Sequence, residues 1–139
     1  MNAKDLFSQA IEAHKQGNLE AAEEAYTQAL ETDGRVPGIL SLLGLLKLQK
    51  EEASEAETLY SEAVSLEPDC GDHHFGLGDA LIALGKTDGA IAAYREGLRF
   101  SPDDAVRLCL LGHLLAESGE VEEAEKIYLT ALGIGDETA

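Results

Sequence analysis

All four tyrosines of this chain, Tyr26, Tyr60, Tyr94 and Tyr128, stand 34 residues apart with no insertion between them. A fixed period of this length constrains the fold more than any local pattern, because each copy must be one unit that buries its apolar face on the next. Three more columns keep the same step: Ala22, Ala56, Ala90 and Ala124; Ala29, Ala63, Gly97 and Ala131; Leu30, Val64, Leu98 and Leu132. The period divides the chain into units 3–36, 37–70, 71–104 and 105–138, beginning at Ala3, Pro37, Gly71 and Ala105.

Each unit reads helix, turn, helix, turn. A small residue recurs at the eighth place as Ala10, Gly44, Gly78 and Gly112, and Gly17, Glu51, Gly85 and Gly119 stand at mid-unit. Pro68 and Pro102 mark the ends of the second and third units. Spacings of three, four and seven between Ala22, Tyr26, Ala29 and Leu30 draw one apolar stripe along a second helix. The small eighth residue then lets the first helix come close, with the tyrosine filling the gap. Composition agrees: the chain is 45% hydrophobic but only 5% aromatic, with three prolines and no tryptophan, which favours an all-α fold.

These columns resemble the tetratricopeptide repeat family, whose pattern places Leu-Gly, Ala, an aromatic, Ala and Pro through a 34-residue unit. Leu43-Gly44, Leu77-Gly78 and Leu111-Gly112 match it, whereas Gln9-Ala10, Gly34, Lys47, Glu51 and Asp136 depart from it. The resemblance covers residues 3 to 138. It implies a right-handed superhelical α-solenoid of antiparallel helix pairs, with a concave groove lined mainly by first helices.

Through places two, five, nine, twelve and thirteen, the resemblance puts Lys4, Phe7, Ile11, His14 and Lys15 in that groove, then Gly38, Ser41, Leu45, Leu48 and Gln49. The third unit contributes Asp72, Phe75, Asp79, Ile82 and Ala83, and the fourth Val106, Cys109, His113, Ala116 and Glu117. Phe7, Ile11, Leu45, Leu48, Phe75, Ile82 and Val106 serve no framework column, so they are expected to receive an apolar partner segment or else to be interhelix core. Some family members grip a C-terminal carboxylate through Lys, Asn and Arg. Here Phe7, Ile11, Leu42, Asp72 and Gly76 stand at those places, so that clamp is not expected, and an acidic tail would meet an acidic protein.

A formal net charge of -17 repels a phosphate backbone and anionic membranes, and no apolar run is long enough to span a bilayer. Neither nucleic acid nor membrane is an expected partner. No secretion signal is visible at the N-terminus, and Cys70 and Cys109 read as thiols of a cytoplasmic protein.

Cys70, Asp72, His73 and His74 form the densest group of metal-ligand types, and His113 falls within reach of Asp79 on a neighbouring first helix. Their spacing fits no ligand pattern, so no metal is expected. Asp72 reads as a helix cap, His73 as solvated, and His74 as the counterpart of Leu6, Leu40 and Leu108. The serines carry no catalytic motif, and the clusters Glu20-Glu23-Glu24, Glu51-Glu52 and Glu122-Glu123 read as solvated faces. No catalytic group and no cofactor is expected.

The expected function is a protein-interaction scaffold or adaptor that takes an apolar peptide or helix in its groove. The alternative is the N-terminal recognition arm of a larger enzyme of glycosyltransferase, sulfotransferase or hydroxylase type, in which the chain continues beyond Ala139. Leu129, Leu132 and Ile134 are left uncovered at the end of the repeat, which points to a longer chain or to self-association through that uncapped repeat.

Overall fold

The computed structural model describes residues 2–138, with the side chains of Ala3 and of residues 134–138 left aside. Its described residues form eight α-helices: α1 (Ala3–Lys15), α2 (Leu19–Asp33), α3 (Pro37–Gln49), α4 (Ala53–Leu66), α5 (Gly71–Ala83), α6 (Thr87–Phe100), α7 (Ala105–Glu117) and α8 (Val121–Thr138). The all-α expectation therefore holds. Local chemistry sets several helix starts. Asn2, Asn18 and Asp104 each accept a backbone N–H from three residues ahead, and Pro37 occupies the first turn of α3, where no N–H is needed.

The turns between paired helices contain one left-handed residue each: Gly17 (φ 79°), Glu51 (φ 63°), Gly85 (φ 75°) and Gly119 (φ 87°). Three are glycines, which have no Cβ to clash; Glu51 adopts the same geometry at a steric cost.

The eighth-place residues behave as their size demands. A Cβ on Gly44 would lie 2.9 Å from Tyr60, one on Gly78 2.6 Å from Tyr94, and one on Gly112 3.0 Å from Tyr128. The first helices of the second, third and fourth repeats thus rest directly on the tyrosine rings of their second helices, and Tyr26 and Tyr94 are wholly buried.

The chain separates into two compact units, Met1–Pro68 and Asp69–Ala139. In the first, Ala10, Tyr26, Leu30, Leu40 and Leu46 centre a core shared by α1, α2 and α3, with Ala63 of α4 joining it. In the second, Phe75, Tyr94, Leu111 and Leu115 do the same for α5 to α8. No helix of the described residues is long and apolar enough to cross a membrane.

Lys47 stands where the family pattern has a bulky apolar residue, and its neighbours explain why it is tolerated. Its ammonium meets Glu23, Glu52 (3.2 Å) and Glu55 (2.8 Å), while Lys50 binds Glu23 (2.8 Å) and Glu52 (3.3 Å). Glu23 and Glu52 are therefore not a merely solvated acidic face. They tie α2, α3 and the turn before α4 together, and the Lys47 hydrogen bond, helped by Lys50, holds the Glu23 carboxyl below its ordinary 4.5.

Candidate functional site

Seven of the residues assigned to the groove, Lys4, Phe7, Ile11, His14, Lys15, Gly38 and Leu45, come together in the first unit. Phe7 and Ile11 on α1 lie half-buried against the core, and Leu45 on α3 is 41% exposed. They line two adjoining clefts that share Leu42. A larger one of about 490 Å³ has Lys4, Phe7, Asp33, Val36, Gly38 and Leu42 on its walls. A smaller one of about 250 Å³ has Ile11, His14, Lys15, Tyr26, Leu42 and Leu45. Apolar side chains make up much of the lining, and Lys4, Lys15 and Asp33 are its exposed charged groups, a combination suited to recognition.

His14 fixes the wall between helices. Its Nδ1 lies 3.0 Å from the Tyr26 hydroxyl and its Nε2 2.6 Å from Gln49 Oε1. Gln49 Oε1 accepts only, so Nε2 donates to it, and in the neutral imidazole Nδ1 accepts a hydrogen bond from the Tyr26 hydroxyl. One imidazole thus joins α1, α2 and α3, and the ring packs edge-on to Tyr26 at 5.8 Å between centroids. Leu48 is half-buried on α3.

The second unit differs from expectation. Phe75 is only 2% exposed and belongs to the core, so it offers no surface to a partner. The reason lies in the column Ala29, Ala63, Gly97, Ala131: without a Cβ at Gly97, the Phe75 ring sinks into the space, where an added Cβ would sit 2.4 Å from its Cε1. Tyr94 meets the ring edge-on, and the Arg107 guanidinium covers it 5.1 Å from its centroid.

Asp79 is held from two sides. The Tyr94 hydroxyl donates to Oδ1, and Arg107 Nη1 donates to both carboxylate oxygens at 3.2 Å. Burial, with that bond to Asp79, pushes the Tyr94 hydroxyl above its ordinary 10.0. Place nine of this unit is thus a closed polar cluster where the first two units present Ile11 and Leu45.

His113 pairs instead with Glu117 (3.1 Å), one turn further along α7, and among the described residues no bond joins it to Asp79. Asp72, Ile82 and Cys109 are exposed. Two further expectations are corrected. His73 is 4% exposed and not solvated, and α5 is capped at Cys70 with no side-chain bond, so Asp72 lies inside the first turn. His74, 7% exposed, does take the buried place of Leu6, Leu40 and Leu108, and it stacks on Phe100 at 6.0 Å.

The sequence placed Leu42 at a groove position only by comparison with the carboxylate clamp, and it marked neither Val36 as a cleft residue nor Arg107 as the cover of Phe75. A glycine breaking an alanine column was the signal for the buried ring. Nothing in the period marked Arg107.

Comparison with known proteins gives a consistent picture. Models of the tetratricopeptide repeat match residues 7–64 and 41–105, and another matches residues 81–138. Human tetratricopeptide repeat protein 7A is 28% identical over 101 residues, covering 73% of this chain. The chain spans only 12% of that relative's length. The crystal structure of MamA superposes with a TM-score of 0.93 at 21% identity, covering 99% of this chain and 80% of that one, a likeness of fold alone. A mutant O-GlcNAc transferase from Thermobaculum terrenum superposes with a TM-score of 0.76 at 32% identity, covering 81% of this chain and 22% of the transferase.

Proposed function

The chain belongs to the tetratricopeptide repeat family, and we propose that it is a non-catalytic interaction module whose first unit holds an apolar segment of a protein partner along α1 and α3. The observation that carries this reading is the apolar strip of Phe7, Ile11, Leu42 and Leu45 across two adjoining clefts. Leu45 is not held open by any framework requirement, and leaving such a strip in water costs roughly 25 cal/mol for each Å² that a partner would cover.

The module consists of four 34-residue units and works in the cytoplasm, where Cys70 and Cys109 stay thiols. The face of α8 bearing Val121, Leu129 and Leu132, all more than half exposed, supports self-association as a further contact. The likeness to part of O-GlcNAc transferase supports a second reading, a recognition arm within a longer enzyme; the groove would then hold that enzyme's protein substrate.

The test is quantitative capture of partners from the protein's own source by the wild type, by Ile11→Glu with Leu45→Glu, and by Thr27→Glu on the exposed side of α2. Capture lost in the groove variant and kept by the Thr27 control supports the reading. Equal capture by all three contradicts it.

A further inference from the structure

The chain has ten cationic side chains against 27 acidic ones, so a lysine or arginine without a carboxylate beside it is the exception. Arg35 is held by Glu62, Lys47 and Lys50 by Glu23 and Glu52, Arg95 by Glu123, Arg99 by Glu96, and Arg107 by Asp79. Lys4, Lys15 and Lys126 have no ion pair among the described residues and are exposed, and of the three Lys4 and Lys15 lie on α1. Both stand on the groove: Lys4 beside Phe7 and Leu42 at one cleft, Lys15 beside Ile11 and Leu45 at the other. Eleven residues apart on α1, they lie three turns and ~16 Å from each other on one side of the helix.

We infer that the groove's occupant is an apolar segment bounded at each end by a carboxylate, one opposite Lys4 and one opposite Lys15, an inference that rests on the groove being the binding site. The two carboxylates stand about five residues apart if the segment is extended and about eleven if it is helical. Asp33 shares the wall of the larger cleft with Lys4 and offsets its charge, so the Lys15 end carries the stronger preference.

The net charge of -17 does not overturn this sign. Repulsion from distant carboxylates is screened beyond about 8 Å at physiological ionic strength, while a lysine in contact with its partner is not. The acidic surface slows the approach of such a segment at low salt, and the two lysines decide how it sits once it arrives.

A displayed library of random twelve-residue peptides, selected on the full 139-residue chain and on the Lys4→Glu, Lys15→Glu double variant, tests this directly. Wild-type selectants are expected to carry an apolar core with Asp or Glu at one of the two spacings. The double variant is expected to lose those acids or exchange them for Lys or Arg. A synthetic wild-type selectant should bind the double variant at least about five-fold more weakly, with most of the loss reproduced by Lys15→Glu alone. Circular dichroism of each variant confirms that the helices are kept.

Apolar selectants with no acidic preference, whose binding is still abolished by Leu45→Glu, overturn the charge inference and leave the groove reading standing. Selectants indifferent to Leu45→Glu, or none from either selection, overturn both.

Discussion

At Glu51 and at Gly97 a residue breaks its own repeat column, and each departure has a physical consequence. Glu51 sits at φ 63°, where its three counterparts are glycine, and a left-handed residue with a Cβ costs about 1–2 kcal/mol. Glu51→Gly is therefore expected to raise unfolding stability by about 1 kcal/mol, part of the gain being returned as glycine's chain entropy. A urea titration with an unchanged slope would show it, and an unmoved or lower midpoint would refute the strain. Gly97→Ala is expected to do the reverse, lowering stability by about 1–3 kcal/mol because Phe75 cannot retreat from under Arg107 and Tyr94. Phe75→Leu in the same chain should recover part of the loss, and an additive double variant would mean that the two sites do not touch. The framework residues were readable from the sequence because packing repeats with the period. Phe75 was misassigned to the groove because its burial depends on one missing methyl group and on Arg107, neither of which the period encodes.

Between helices, the non-repeating features are polar. Lys47 replaces an apolar residue of α3 and draws Glu23 of α2 and Glu55 of α4 to one ammonium. A carboxylate held below its ordinary value stabilises the fold above about pH 4.5, and that contribution is lost as pH falls through its folded value. Glu23 is such a group, its carboxyl lowered first by the Lys47 hydrogen bond and then by that of Lys50. Glu23→Gln should therefore be less stable than the wild type at pH 7, and the difference should shrink at an acid pH below about 4.5, as the wild-type carboxyl protonates. Urea midpoints at both pH values check this, and a difference undiminished in acid would show that Glu23 acts by packing and not by charge. At the alkaline end the sign reverses. Burial holds the Tyr26 and Tyr94 hydroxyls above 10.0, so the unfolded chain loses those protons first and stability should fall as pH rises past about 10. The helices themselves were plain in the sequence, since apolar spacing and mid-unit turns recur in every unit. The ion network was not, because the partners of Lys47 come from three separate segments.

Two compact units, each with its own buried cluster, make up the chain. In a repeat protein, stability is a sum of local terms, so a defect placed in one cluster should act mainly there. Gly97→Ala is accordingly expected to speed amide exchange through α5 to α8 more than through α1 to α4. Uniform loss of protection would show that the chain unfolds as one body. The site follows the same division: Phe7, Ile11, His14 and Leu45 share a groove in the first unit, whereas place nine of the third repeat is closed by Asp79, Tyr94 and Arg107. The most direct measurement is the map of backbone amide shifts when a groove-selected peptide is titrated into the labelled 139-residue protein. Shifts concentrated on α1 and α3, around Ile11, Leu42 and Leu45, are the predicted result. Shifts confined to α2 and α4, or to α5 to α8, would contradict the assignment of the first-unit groove as the binding surface.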